Sequence, residues 1–268
     1  MNRLLAEKAN PQADVYWANE PIRAEVLSQH GIAAAYQSPS AEGIPAHFKH
    51  PQGYWTGFSA RARVLIVNKS APDKPKSILA YADPAFKGKA VIANPLFGTT
   101  TAEVAALFTL WGDDKAKAFL ADMKRNGVKT ATSNGEAADF VAAGQFAFSL
   151  VDSDDAANRI TQGKPVEMIY PDQGENEPGC FIVPNAVVLT KGSPNPEAGK
   201  KLVDYLLSRE SERKLARSDA AQIPLHEGVE TPPAVKKIES IKTMKIDYAA
   251  VARKMQEIQP LLKEWAGL

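Results

Sequence analysis

Apolar and polar positions alternate in two rhythms along this chain. Phe146 to Val151 is an apolar run of strand length that stops abruptly at Asp152, Ser153, Asp154 and Asp155, and a helix-forming AANRI follows. A run of this kind between turn signals predicts a buried strand of a parallel sheet flanked by helices. The same sequence of events occurs earlier. Val91-Ile92 predicts a buried strand, Asn94 to Gly98 a loop, and Thr99 or Thr100 the cap of a helix that reaches Trp111. Ser133-Asn134 predicts the cap of a further helix, Gly135 to Ala143, leading into the acidic-ended strand. Right-handed crossovers place such strand-to-helix junctions on one side of a parallel sheet, where ligands bind in open α/β folds.

Elsewhere the pattern predicts a strand over Ala13–Trp17 and a helix over Ile22–His30, opened by Asn19-Glu20-Pro21. Trp55 to Lys69 reads as one or two strands with Arg61 and Arg63 on the face opposite Ala62 and Val64. Those arginines are expected on an exposed sheet edge, the alternative being a buried anion binder. Further expectations are a helix over 113–126 capped by Asp113, a turn region at Pro171–Pro178 and a strand over Asn185–Gly192. The helix SPNPEAGKKLVDYLLS, a second at Arg209–Ser218, and two terminal ones at Ala234–Lys242 and Tyr248–Trp265 complete the reading.

With 268 residues the chain makes one large domain or two small ones, and 44% hydrophobic content suffices for a real core. A net charge of +1 without a basic stripe argues against nucleic acid or an anionic membrane surface as partner. The lone Cys180 excludes an internal disulfide, and His30, His47 and His50 lack the spacing of a metal site. Met1 opens a helix-like pattern rather than a charged region followed by an apolar one, so either the protein is cytosolic or its beginning, with a secretion signal, is missing.

The chemistry concentrates at two places. Asp152, Asp154 and Asp155 lie within four residues, and two unit charges about 5 Å apart repel by roughly 3 kcal/mol at an effective dielectric of ~20. A bound cation, raised pKa values, solvation or helix capping must relieve that repulsion. The helix start at Gly98-Thr99-Thr100 offers backbone N–H groups and hydroxyls to an anion, although neither a P-loop nor a dinucleotide fingerprint is present.

These pieces stand in the order of a known family. Ala13–Val15 with Asn19-Glu20, WTGFSARARVLIVN, Pro95–Thr99 before a helix, Asn134, the strand Phe146–Val151 with its polar loop, and Asn185–Lys191 before AGKKLVDYLLS together resemble the periplasmic solute-binding proteins of bacterial ABC importers. The resemblance is to the ferric-iron-binding branch and spans essentially the whole chain. It implies an α/β, two-lobed periplasmic-binding-protein-like fold of type II, with lobe 1 at 1–66 plus 181–232 and lobe 2 at 67–180 plus 233–268. The first lobe is expected to lack its N-terminal strand and helix. The resemblance also implies a periplasmic monomer, no enzyme, that binds ferric iron or another hard metal ion with phosphate or carbonate and delivers it to a membrane permease. Phe97, Gly98, Thr99, Thr100 and Asn134 match the anion-holding loop and Asn, and Asn19 with Glu20 matches the lobe-one glutamate.

At the metal end the chain departs from the pattern. The iron binders carry paired tyrosines where Asp154 and Asp155 stand here, and an Asn in place of Asp152, beside Ser153. Carboxylates keep a hard, anionic oxygen site, so Asp152, Asp154 and Asp155 are the candidate metal ligands. They also suit an amine or hydroxyl hydrogens, which leaves a phosphorylated or phosphonate organic solute as the alternative. A third reading is a Mg²⁺-dependent phosphatase with Asp152 as nucleophile and Asp154 as acid, but Asp155-Ala156 follows where that chemistry needs Thr or Val.

Overall fold

The computed structural model describes residues 1–267. The first part of the chain forms α1 (Asn2–Ala6), β1 (Val15–Ala18), α2 (Pro21–Gln29), β2 (Ala33–Ala34) and β3 (Thr56–Asn68). The middle forms β4 (Ala90–Ala93), α3 (Gly98–Trp111), α4 (Asp113–Arg125), β5 (Lys129–Ala131), α5 (Asn134–Ala142), β6 (Phe148–Asp152), α6 (Ser153–Thr161) and β7 (Val166–Ile169). The last part forms β8 (Ile182–Thr190), α7 (Pro196–Leu206), α8 (Arg209–Arg217), α9 (Tyr248–Glu257) and α10 (Gln259–Ala266). No helix among the described residues is long and apolar enough to cross a membrane.

The chain divides into two compact units, each assembled from separate stretches. Unit 1 takes Met1–Arg61, Val183–Ser240 and Asp247–Ala252; unit 2 takes Ala62–Ile182, Ile241–Ile246 and the chain from Arg253 onward.

In unit 1, β8 is the organising strand. β1 runs antiparallel to it with Val15 opposite Leu189, and β2 joins it with Ala33 opposite Thr190. The helix α2 begins at Pro21, where the missing proline N–H costs nothing, and buries Ile22, Ala24 and Leu27. The fully buried Glu212 of α8 gathers the backbone N–H groups of Ser59 (2.7 Å), Leu225 (2.8 Å) and His226 (2.9 Å). Its Oε2 also lies 2.8 Å from His226 Nδ1, while His226 Nε2 is 3.0 Å from the Ser40 carbonyl. Glu212 thereby fixes a tight place: Ala60 and Ile223 exchange backbone bonds of 2.7 Å between Ser59 and Ala221, both at positive φ.

In unit 2 the strands run in the order β7, β3, β6, β4, β5. β3 is antiparallel to β6 and β7, whereas β4, β5 and β6 are mutually parallel where they pair. All three parallel strands are followed by a helix: β4 by α3, β5 by α5 and β6 by α6. Their helix N-termini therefore follow the carboxyl ends of adjacent strands, as the sequence predicts. The phenol of buried Tyr81 is built into this sheet, donating to Val91 O (2.9 Å) and accepting from Leu150 N (2.6 Å).

Several local expectations are corrected. The helix expected at Ala234–Lys242 is only a short 3₁₀ turn at Ile238–Ser240, because the following backbone pairs instead with Cys180. Cys180 N donates to Lys242 O (2.8 Å) and Met244 N to Cys180 O (2.7 Å). Gly179 makes this approach possible: a Cβ there would lie 2.5 Å from Lys242 O, and its φ is +86°. The continuous helix expected at Tyr248–Trp265 breaks at Ile258, since Pro260 in the first turn of α10 has no N–H to carry the preceding helix onward. Phe97, not a threonine, is the N-cap residue of α3, and Gly112 rather than Asp113 holds that position in α4.

Candidate functional site

A buried cation in a largely apolar strand and a lone acid in an apolar helix determine the chemistry of unit 2. Arg63 lies within β3 and Glu103 within α3, and both are buried, Arg63 with no exposed surface at all. A buried guanidinium is tolerated only when paired and fully hydrogen-bonded. Arg63 Nε donates to Glu103 Oε2 (2.9 Å). Nη1 donates to Asp152 Oδ1 (2.9 Å), Thr99 Oγ1 (3.1 Å) and Asn134 Oδ1 (3.2 Å). Nη2 donates to Thr100 Oγ1 (3.2 Å) and Leu150 O (3.2 Å). Five N–H hydrogens thus meet six acceptors.

The expectation of an exposed edge for the arginines of β3 is overturned. Arg63 faces Asp152 across the β3–β6 ladder, and β3 is covered on both edges by β6 and β7 within unit 2. Arg61, in unit 1, is also buried and donates to the Asn19 carbonyl. Burial alone would lower the pKa of Arg63, but Asp152 and Glu103 together hold it above the usual arginine value. Glu103 goes the other way. Burial pushes it up to about 7 against the pull of Arg63, because one guanidinium serves two carboxylates.

Thr99, Thr100, Asn134 and Asp152, read from the sequence, are therefore brought together, and Arg63 is what gathers them. Thr99 Oγ1 donates its single proton to Asp152 Oδ2 (3.1 Å) and accepts from Asn134 Nδ2 (3.0 Å). Ser153 is buried and its Oγ accepts from Ala62 N (3.1 Å). Phe97 and Gly98 lie at the exposed entrance to α3, Phe97 being 67% exposed. Asp154 and Asp155 are half-buried in the first turn of α6. One carboxylate oxygen from each of Asp152, Asp154 and Asp155 lies within 4.8 Å of the others.

The crowding of these three acids is relieved in three ways. Asp152 is neutralised by Arg63 (2.9 Å), Asp155 lies 3.7 Å from Arg159 Nη1, and Asp154 Oδ1 accepts from Asp155 N (3.0 Å). The N-terminus of α6 favours all three. Asp154 and Asp155 keep carboxylate oxygens suited to a hard cation. Asp152, at the N-cap position of α6 without a capping bond of its own, has both oxygens engaged by Arg63 and Thr99.

In unit 1, Asn19 is exposed and Glu20 is buried at the start of α2. Glu20 Oε1 accepts from Arg23 Nε (3.0 Å), and its Oε2 has no hydrogen-bond partner. Glu103 is the residue that motif reading misses, while Arg63 enters it only as the less favoured buried anion binder. The signal for Glu103 is a single charge inside the otherwise apolar α3.

The fold is that of the two-lobed, type II periplasmic binding proteins. The apo ferric ion-binding protein A of Pasteurella haemolytica superposes with a TM-score of 0.87 at 24% identity, covering 99% of this chain and 86% of that one. A profile described as bacterial extracellular solute-binding protein matches residues 1–243, and the chain belongs to that family. Iron uptake protein A1 of Synechocystis is 28% identical, over 98% of this chain and 75% of its own length. A putative 2-aminoethylphosphonate-binding periplasmic protein of Salmonella typhi is 24% identical, over 81% of this chain and 64% of its own. Family membership makes this a solute-binding protein of transport, not an enzyme, which sets aside the phosphatase reading of Asp152.

Proposed function

We propose that this chain is the substrate-binding component of a bacterial ABC importer that works in the periplasm as a monomer and presents a hard metal ion, ferric iron above all, to a membrane permease. The two units are the lobes. The observation that carries the reading is the convergence of Asp152, Asp154 and Asp155 oxygens within 4.8 Å at the start of α6. Asp154 and Asp155 are the cation ligands within unit 2, and the similarity to an iron uptake protein supports iron as cargo.

The structure favours a cation over a phosphonate. The side chains expected to grip an anion, Thr99 and Asn134, are bonded to Asp152, Arg63 and each other. A thermal-shift and calorimetric titration with ferric nitrilotriacetate, divalent metals, phosphate and 2-aminoethylphosphonate tests the proposal. A bound cargo raises stability by RT ln(1 + [L]/Kd). Stabilisation by the phosphonate and by none of the metals would refute it.

A further inference from the structure

The sequence points to a seat for a free anion at the start of α3, yet the structure holds a carboxylate of the chain itself there. We infer that Asp152 is a built-in counter-anion, so that the protein takes its cation without phosphate or carbonate. This rests on the reading of the site as a cation site.

Asp152 is the acceptor toward which the seat is directed. Oδ1 receives Arg63 Nη1 at 2.9 Å and Oδ2 receives the Thr99 hydroxyl at 3.1 Å. Those two contacts, from a fully buried guanidinium and a buried threonine, are what an inorganic oxyanion would require. Neither donor has a hydrogen left. The single Thr99 proton is committed to Asp152, and the five of Arg63 face six acceptors.

Charge gives the same answer. An oxyanion arriving about 5 Å from Asp152 would be repelled enough to weaken its binding on the order of a hundredfold. The arrangement is also rigid, because Asp152 is the last residue of β6 and stands opposite Arg63 in the β3–β6 register. The seat cannot empty without leaving Arg63 with Glu103 as its sole anionic partner. Asp154 and Asp155, the other carboxylates of the cluster, stand beside one whose charge Arg63 already balances.

The test is a titration of the cargo-free protein with inorganic phosphate, followed by calorimetry and thermal shift. The wild type is expected to show no saturable binding at millimolar phosphate. Asp152→Asn, which keeps the shape and removes the charge, is expected to bind phosphate at least about a hundredfold more tightly. Phosphate binding by the wild type as tight as by the variant would overturn the inference. Should Asp152→Asn fold poorly, Asp152→Ser provides the same comparison, and the wild-type titration stands by itself.

A second arm uses ferric nitrilotriacetate in phosphate- and carbonate-free buffer. Wild-type affinity is expected to be unchanged when phosphate is added; a metal affinity that requires phosphate would overturn the inference. Failure of every metal to bind would instead refute the cation site, while the phosphate titration still decides the role of Asp152.

Discussion

Arg63 and Asp152 stand directly opposite each other across the antiparallel β3–β6 ladder, with Nη1 and Oδ1 2.9 Å apart. This pair joins the core of unit 2 to its candidate site. Removing the arginine strands two buried carboxylates together, so Arg63→Met is expected to cost about 3–5 kcal/mol. Urea denaturation monitored by circular dichroism measures it. A loss below 1 kcal/mol would mean that the pair contributes little.

Glu103 makes stability depend on pH near neutrality. Burial raises its folded pKa to about 7, above the usual glutamate value of 4.5. Between those values the folded state holds a proton that the unfolded chain has released. Its contribution to stability is therefore fully present below the lower value and is lost as pH rises through the upper one. Glu103→Gln should flatten the fall in melting temperature between about pH 5 and pH 7.5 relative to wild type. Parallel profiles for the two proteins would contradict this.

The half-buried acids of α6 behave differently from Asp152. Asp154→Asn with Asp155→Asn should abolish detectable binding of ferric nitrilotriacetate while the melting temperature changes little, because both side chains are only half-buried whereas Asp152 is buried against Arg63. With carboxylates rather than phenols as ligands, the wild-type ferric complex should lack an intense phenolate charge-transfer band in the visible spectrum.

Tyr81 occupies a place in the sheet where main-chain groups of β4 and β6 would otherwise need partners. Tyr81→Phe leaves Val91 O and Leu150 N unsatisfied in the core and should cost about 1–3 kcal/mol. Equilibrium unfolding measures the change, and a neutral substitution would show that the two groups find each other.

Glu212 carries four hydrogen bonds in unit 1. Glu212→Ala should destabilise by roughly 3–5 kcal/mol, since the backbone donors beside Ser59 and His226 lose their acceptor. Faster amide exchange at Ser59 and Leu225 is the specific signature, and unchanged protection there would exclude Glu212 as their anchor.

The local pattern was enough to read the acid-ended β6, the three helix starts of unit 2 and most strands, because burial and capping write short-range signals. Three short strands escaped, among them the two-residue Ala33–Ala34. Lys129–Ala131 is largely polar and exposed, and Val166–Ile169 lies after a turn without alternation. The candidate site was legible only in part. Thr99, Asn134 and Asp152 were visible at their junctions, but their use depends on Arg63, which reaches them through pairing with a strand 89 positions away in sequence. From sequence alone Asp152 and Asp154 are equivalent acids; in the structure one is neutralised in the core and the other stands half-buried.

The pairing of β1 with β8 has a consequence for how the chain is made. Val15 meets Leu189 and Ala33 meets Thr190, so β1 and β2 lack this strand partner until β8 emerges from the ribosome. Unit 2, drawn mostly from the uninterrupted stretch Ala62–Ile182, can complete most of its contacts before then. Synthesis at about 5–20 residues per second leaves the amino-terminal segment waiting for several seconds, and β1 and α2 are where chaperones and proteases would find nascent chains of this protein.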